Sequence, residues 1–287
     1  MRQQRGGGAK VYGCGVGFSE GQGEVNHCII ANNGASTGVN DYGGGIGALN
    51  TAGPVVVDTC LVVGNKLTAS GGLGAGIGIK NEHVALVVRN CTISGNVATS
   101  RSGGILTEGG WGPITLVNSI VADNGAGGAE ANLALGHAIT SDSKNCIFGL
   151  STEGTSIDGV IYGDPVFVDA TSGDYHLGGG SGAIGAGATY AGLGVDLDNV
   201  SFAAAPSLGC YEFASTGPSP VPSSWDISGS SGGGIKALDD VALLTAPASS
   251  SSESSLPNDP VGYVSIIAGV RRICYDIVIT SSERSLP

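Results

Sequence analysis

Hydrophobic and polar positions recur in this chain in a phrase built around one small residue. The five copies are VNHCIIANN (25–33), VDTCLVVGN (57–65), VRNCTISGN (88–96), LVNSIVADN (116–124) and SKNCIFGLS (143–151). Before the Cys or Ser, apolar residues alternate with other residues, and after it the alternation changes phase. A period of two predicts strands with one buried face, and the phase change predicts a bend, at Arg89–Asn90 in the third copy.

A second phrase precedes this one at fixed distance. It reads GGGIGA (43–48), GAGIGI (74–79) and SGGILT (102–107), and Ile46 lies as far before Cys60 (60 − 46 = 14) as Ile77 before Cys91 (91 − 77 = 14). The variation in repeat length falls mainly in one loop after the Asn. A period of this size with one variable loop indicates a solenoid or a propeller, and two or three short strands per repeat favour the solenoid. We therefore predict an all-β, right-handed parallel β-helix.

Stacking of the repeats predicts a role for each column. The aligned Cys and Ser residues form one column, the Cys column, whose members are small. Four of the phrases end in Asn, and three phrases have Asn directly before the Cys column. Asn side chains stacked at corners can bond to one another and to turn backbone, and stacked Cys are expected to be buried thiols rather than disulfides. The predicted ladder residues are Asn33, Asn65, Asn96 and Asn124, then Asn90, Asn118 and Asn145, and finally Cys28, Cys60, Cys91 and Cys146.

Composition agrees with a chain of turns and strands and excludes some partners. Gly contributes 52 of 287 residues, charged residues make up 13%, and the net charge is −12. We therefore expect no nucleic-acid partner, since a basic surface is lacking, and no membrane span, since no window is apolar enough. The chain has no visible secretory signal, and the repeat is already running near Cys14. We expect an N-terminally truncated fragment that is a monomer.

The chain divides into three parts. Residues 13–151 are the predicted coils, and 152–213 are the C-terminal coils and a cap of the same domain that covers the end of the core. Residues 214–287 are a linker and low-complexity tail, rich in Ser, Pro and Gly, which we expect to be poorly structured. Within this tail, 235–246 is consistent with a short helix and 261–280 with one or two strands.

The repeats carry a resemblance. The pairing of GGGI, GAGI and SGGI with IANN, VVGN, ISGN and VADN resembles the repeats of chlamydial polymorphic membrane proteins and, more broadly, the pectin-lyase-like β-helix proteins. The stretch GDPVFVDATSGDYHL and the following residues to CYEF (163–213) are similar to the closing segment of the choice-of-anchor Q type. Gly182, Asn199 and Cys210 depart from that pattern. The resemblance implies the β-helix fold and a secreted or surface location.

Two classes of function follow. The first is an extracellular or cell-surface structural and binding module, adhesin-like or glycan-binding, whose partner is a polysaccharide or cell-surface glycan. The second, which the resemblance implies, is a polysaccharide lyase or glycoside hydrolase that has lost part of its site. The repeats lack the clustered carboxylates of the hydrolases, and no acidic cluster surrounds a basic residue in sequence as elimination would need. We therefore name no catalytic residue.

Candidate contact residues are few. Arg89 and Arg101 are two of the few basic residues within the repeats, Glu108 could join Arg89 by stacking, and Trp111 follows in a Gly-rich loop. No cofactor is expected. The one candidate metal is calcium, with Asp196 and Asp198 as its ligands, although acidic residues in turns more often bond their own backbone.

Overall fold

The computed structural model describes residues 13–19, 22–35, 42–49, 53–68, 70–80, 85–109, 112–127, 131–136, 139–149, 157–213 and 271–280. These residues form strands, turns and loops, with no helix among them. The strands are β1 (Val16–Ser19), β2 (Gln22–Ala31), β3 (Gly34–Ala35), β4 (Ile46–Leu49), β5 (Val55–Asp58), β6 (Leu61–Val63), β7 (Lys66–Leu67), β8 (Ile77–Lys80), β9 (Leu86–Arg89), β10 (Thr92–Ser94), β11 (Val97–Ala98), β12 (Ile105–Glu108), β13 (Ile114–Val117), β14 (Ile120–Ala122), β15 (Gly125–Ala126), β16 (Leu133–Leu135), β17 (Ile147–Phe148), β18 (Ile161–Tyr162), β19 (Phe167–Asp169), β20 (Asp174–Leu177) and β21 (Arg271–Thr280).

Equivalent strands of successive coils pair in parallel, which makes the fold a β-solenoid. One sheet has the order β1-β4-β8-β12-β16, and a short one has the order β15-β11-β7-β3. The third sheet joins two ladders through β2, whose first half pairs with β5 and whose second half pairs with β6. Each complete coil therefore contributes the predicted strand, turn, strand, corner and strand, plus a fourth strand of two residues that the sequence pattern did not predict.

Inward-facing side chains stack in columns from coil to coil. Because the paired strands are in register, similar aliphatic residues contact one another in successive coils, and every residue of these columns is 7% exposed or less. Burying an aliphatic side chain contributes about 1.5–3 kcal/mol, so these columns supply the core. The columns are Val16–Ile46–Ile77–Ile105–Leu133, Val25–Val57–Val88–Leu116 and Ile30–Val62–Ile93–Val121.

The corner before each Cys or Ser of the column uses a left-handed backbone conformation. The residues there have φ between 46° and 52°: His27, Thr59, Asn90, Asn118 and Asn145. Asn and His tolerate this conformation better than most other residues, because a short polar side chain can bond locally. This requirement explains why Asn precedes the Cys column in the later coils, and it places the bend at the predicted position in the third coil.

The C-terminal part of the domain first continues the coils and then covers their flank rather than the end of the core. Strand β18 pairs in parallel with β17, and Ile157 packs in the core. Residues 167–211 then pack along the outer flank of the solenoid, over β2, β6 and β14. Tyr175, Leu197 and Tyr211 cluster with Leu61 and Val63 of that flank. The outward-facing side chains of β10 are therefore buried beneath this segment, although the sequence pattern had assigned them to the surface.

Hydrogen bonds fix this flank segment to the coils. The Cys210 N–H donates to Thr92 Oγ1 over 3.2 Å, and the Gly209 N–H donates to the Asn118 carbonyl over 2.8 Å. Asn118 also forms a two-way pair with Ala188, donating Nδ2 to its carbonyl and accepting its N–H. The segment is a lateral cover of the solenoid rather than a plug at its end.

The tail is described only at 271–280. Here β21 pairs antiparallel with β2, from Gln22 opposite Thr280 to Ala31 opposite Arg271. One of the strands expected in the tail is therefore present, and it adds to the edge of the first coil. The helix predicted at 235–246 lies outside the described residues.

Candidate functional site

The four Asn that close the phrases form one buried chain of hydrogen bonds. Asn33 Nδ2 donates to Asn65 Oδ1 over 2.9 Å, Asn65 to Asn96 over 2.8 Å, and Asn96 to Asn124 over 2.9 Å. Each of these Oδ1 atoms also accepts the backbone N–H of the Asn before it. The chain then passes to Asn132, a residue absent from the sequence alignment, where the column had instead reached Ser151. The ladder is a structural element, buried along its length.

The Cys column is equally buried. Cys28, Cys60, Cys91 and Cys146 are thiols with no exposed surface. Burial raises the pKa of Cys60 and Cys91 well above that of an ordinary thiol and raises the pKa of Cys146 to about 12. A thiolate is the reactive form, so these residues are inert fillers of the core.

The structure brings two of the sequence-predicted contact residues together. Arg101 and Glu108 lie on the outer side of the first sheet, where Arg101 Nη1 is 3.4 Å from Glu108 Oε1. Arg89 lies on a different flank, so stacking does not unite it with Glu108. Trp111 lies outside the described residues.

Two further residues complete this surface. The Tyr42 hydroxyl donates to Glu108 Oε2 over 2.5 Å, and the Lys80 ammonium lies 5.3 Å from the centre of the Tyr42 ring. Tyr42 belongs to the second coil and Glu108 to the fourth, so the phenol spans the third coil, from which Lys80 projects. We call Tyr42, Lys80, Arg101 and Glu108 the basic cluster.

The basic cluster combines a buried support with exposed charge. Tyr42 is 2% exposed and packs with Leu73 and Leu106, whereas the Arg101 side chain is 45% exposed. An ion pair this exposed stabilises the fold by about 1 kcal/mol at most, so it does not lock the arginine. Among the described residues, no carboxylate lies within 4 Å of the Lys80 ammonium. Two cations therefore face solvent beside one carboxylate.

Arg89 belongs to a second polar group, at the edge of the lateral cover. Its Nε lies 2.9 Å from Asp58 Oδ2, and its guanidinium sits 5.6 Å from the centre of the Tyr190 ring. Asn90 donates to Asp58 Oδ1 over 3.2 Å and also to the Tyr190 hydroxyl. Burial, followed by the charge of Asp58, raises the pKa of Tyr190 to about 12. These contacts tie the cover to the coils, and they occupy the Arg89 guanidinium.

The calcium candidates are engaged in protein hydrogen bonds. Asp196 is fully buried and accepts the backbone N–H groups of Asp198, Val200 and Glu212. Asp198 Oδ2 lies 2.8 Å from His176 Nε2. Within the described ranges, no three His, Cys, Asp or Glu residues are grouped so as to hold a metal ion.

His176 is the centre of the polar packing in the cover. Its Nδ1 lies 2.6 Å from Asp174 Oδ1, and its ring stacks on Tyr211 at 4.1 Å between centres. The bond to Asp198 raises the pKa of His176 more than burial lowers it, and Asp174 adds to the rise. The histidine lies between two carboxylates that favour its protonated form, an arrangement that the sequence could not show.

No family model matches this chain, and neither a curated protein nor a solved structure matches it significantly. In the part of the chain that the structure describes, no helix is long and apolar enough to cross a membrane. What is established is the parallel β-solenoid of repeated coils.

Proposed function

We propose that this chain is an extracellular or cell-surface structural and binding module that presents the basic cluster to polysaccharide. The observation that carries the proposal is the gathering of Lys80 and Arg101 on one outer sheet of an acidic protein. Of the 12 Lys and Arg in the chain, only a few fall within the repeats, and these two are linked through Tyr42 and Glu108.

Sugar carboxylates and sulfates are the groups that such a cluster would recognise. Arg binds them through a planar fork of donors and Lys through a compact charge. Glu108 holds Arg101 from one side and can accept sugar hydroxyls. The rigid backing of three coils keeps these groups at the fixed spacing of stacked strands, about 4.8 Å per coil, which suits an extended chain of sugars.

The resemblance to pectin-lyase-like proteins of the choice-of-anchor Q type supports this reading. It rests on the paired Gly–Ile and Asn phrases and on the closing segment at 163–213. The same resemblance implies the alternative, cleavage of polysaccharide by elimination or hydrolysis. That chemistry would need three or more carboxylates beside an Arg or Lys. The flank that carries Arg89 offers Asp58 as its ion-pair partner and Glu24 on the same face.

A binding assay tests the proposal. Immobilised acidic and neutral polysaccharides are compared by surface plasmon resonance for the parent, Lys80→Ala and Arg101→Ala, with Lys66→Ala as the control. Lys66 is exposed on the short sheet β15-β11-β7-β3. Loss of one charge-assisted bond, about 1.5–3 kcal/mol, predicts affinity for an acidic glycan at least about tenfold weaker.

Two outcomes would contradict the proposal. Lack of binding to every polysaccharide tested would remove the partner, and equal loss in all three variants would show non-specific charge attraction. In parallel, incubation with polygalacturonate and Ca²⁺, followed by ultraviolet absorbance, tests elimination. Robust formation of unsaturated product would favour the enzyme alternative.

A further inference from the structure

Two stretches of the chain match the tripeptide that accepts N-linked oligosaccharides, which is Asn, any residue except Pro, then Ser or Thr. They are Asn90-Cys91-Thr92 in the third coil and Asn199-Val200-Ser201 in the lateral cover. The tripeptide alone does not make a site, because a glycan is bulky and hydrated and must extend from the protein surface. The surroundings of each Asn in the folded chain therefore distinguish the two.

The side chain of Asn90 is closed to modification. It is 1% exposed, and its Nδ2 donates to Asp58 Oδ1 over 3.2 Å and to the Tyr190 hydroxyl. Its Oδ1 accepts Nδ2 of Asn118 over 3.2 Å. A glycan on Asn90 Nδ2 would break the contacts that tie the lateral cover to the coils.

The tripeptide at Asn199 is open. All three of its residues are exposed, and even the apolar Val200 is 39% exposed. Among the residues that the structure describes, none forms a hydrogen bond with the side-chain amide of Asn199. Both the amide that would carry a glycan and the Ser201 side chain that completes the tripeptide therefore lie at the surface.

The loop that carries Asn199 is fixed from beneath through its backbone. The buried Asp196 accepts the backbone N–H groups of Asp198 and Val200 on Oδ1, over 2.9 Å and 2.8 Å. The Asp196 carbonyl accepts the Asn199 N–H over 3.0 Å, and Ser201 forms an antiparallel bridge with the residue before Asp196. Since none of these bonds uses the Asn199 side chain, a glycan on that side chain leaves the loop intact.

We propose that Asn199 is an acceptor for an N-linked oligosaccharide and that Asn90 is not. The donor is an oligosaccharide carried on a lipid diphosphate. A bond forms between Asn199 Nδ2 and the anomeric carbon of the first sugar, and the bond from that carbon to the diphosphate oxygen breaks. The lipid diphosphate leaves with the bonding electron pair, and the proton lost from Nδ2 passes to the medium.

The proposal rests on the extracellular location proposed above, because the transfer takes place as a chain is secreted. It does not rest on the binding of polysaccharide. The lateral cover packs over the third sheet, whereas the basic cluster lies on the first sheet, so the glycan and the basic cluster occupy different faces. Loss of the glycan and loss of polysaccharide binding are therefore separate results.

Expression in cultured animal cells tests the site. The full chain carries an added, cleavable signal sequence, so that it enters the secretory route whatever its natural location. The parent is compared with Asn199→Gly, Ser201→Ala and Ser201→Thr, by electrophoresis of medium and whole-cell lysate before and after peptide N-glycosidase. Asn199 has φ of 64°, which Gly adopts without strain, so Asn199→Gly removes the amide and keeps the turn.

The parent and Ser201→Thr should each show a shift of one glycan that the glycosidase removes, whereas Asn199→Gly and Ser201→Ala should show none. Mass spectrometry of the treated parent should find Asp in place of Asn at residue 199 and unchanged Asn at residue 90. Three results would overturn the proposal: a parent without glycan in both medium and lysate, a shift that persists in Ser201→Ala, or a glycan on Asn90.

Discussion

A Cβ atom built on Gly76 would lie 3.1 Å from Nδ2 of Asn96, and 2.7 Å from the carbonyl oxygen of Gly104. The same relationship holds in the first four coils, between the Gly that precedes the first strand and the Asn that closes the phrase. The separations are 3.0 Å for Gly15 and Asn33, 2.9 Å for Gly45 and Asn65, and 3.0 Å for Gly104 and Asn124. The two repeated phrases of the sequence are thus the two sides of one contact.

Gly76→Ala should destabilise the protein by about 1–3 kcal/mol, because the new methyl group meets backbone and a ladder amide that cannot move aside. The measurement is the urea midpoint of unfolding. The control is Gly179→Ala, where nothing lies within 4 Å of the added Cβ and little change is expected. Equal midpoints for the two variants would contradict the packing described.

Asn96→Ala should cost about 2–4 kcal/mol. It deprives the Asn65 N–H of its acceptor and the Val62 carbonyl of a donor, all in buried positions. Asn33→Ala is the matched comparison, because its Oδ1 has no partner and Asn65 Oδ1 keeps the backbone N–H of residue 33. That variant should cost about 1 kcal/mol or less. The opposite order of urea midpoints would show that the ladder is not continuous.

The sequence predicted much of this fold and little of the site. The alternation of apolar residues predicted the strands. The Cys and Asn columns predicted how successive coils pair, because a solenoid repeats the same local environment in each coil. Asn132 escaped prediction, since it takes the position of the Gly before the strand, preceding Leu133 as Gly104 precedes Ile105. The site residue Tyr42 was missed because its position has no fixed residue type, aligning with Leu73 and Arg101.

The lateral cover shows a second limit of sequence reasoning. A segment that ends a repeat was expected at the end of the core. Yet Ile29, Leu61 and Ile120 face outward on the flank and are buried. Apolar residues on both faces of these strands were a signal that something covers the flank, although they do not say what.

The thiols should be unreactive in the folded protein. Burial raises the pKa of Cys60, Cys91 and Cys210 well above the ordinary thiol value, so the thiolate is scarce and inaccessible. Cys274, the seventh cysteine, lies on β21, so a Cys274→Ser variant leaves only the six buried thiols. Titrated with Ellman's reagent at pH 8, this variant should show reaction only after denaturant is added. Rapid reaction of the native variant would mean that the column opens in solution.

The cover should depend on pH through His176. The pKa of His176 is raised in the folded protein, so protonation is favoured by folding, and its contribution is fully present below the unfolded value of about 6.5. That contribution is lost as pH rises through the folded pKa. Asp174, Asp198 and Tyr211 are the groups that face the ring.

This prediction is tested by comparing the stability of the parent with that of His176→Gln, both measured by urea unfolding from pH 5 to pH 9. The parent should be the more stable near pH 6, and the difference should shrink toward pH 9. Asp198→Asn, which removes the main cause of the shift, should reduce the pH dependence. A difference that grows with pH would show that the histidine is neutral in the folded state.

A crystal structure that resolves the side-chain amides would test the Asn ladder directly. We expect parallel coils in which five side chains form one hydrogen-bonded chain, with Nδ2 to Oδ1 separations of 2.8–3.1 Å: Asn33, Asn65, Asn96, Asn124 and Asn132. Coils whose equivalent strands pair out of register, or Asn side chains that turn away from one another toward solvent, would contradict it.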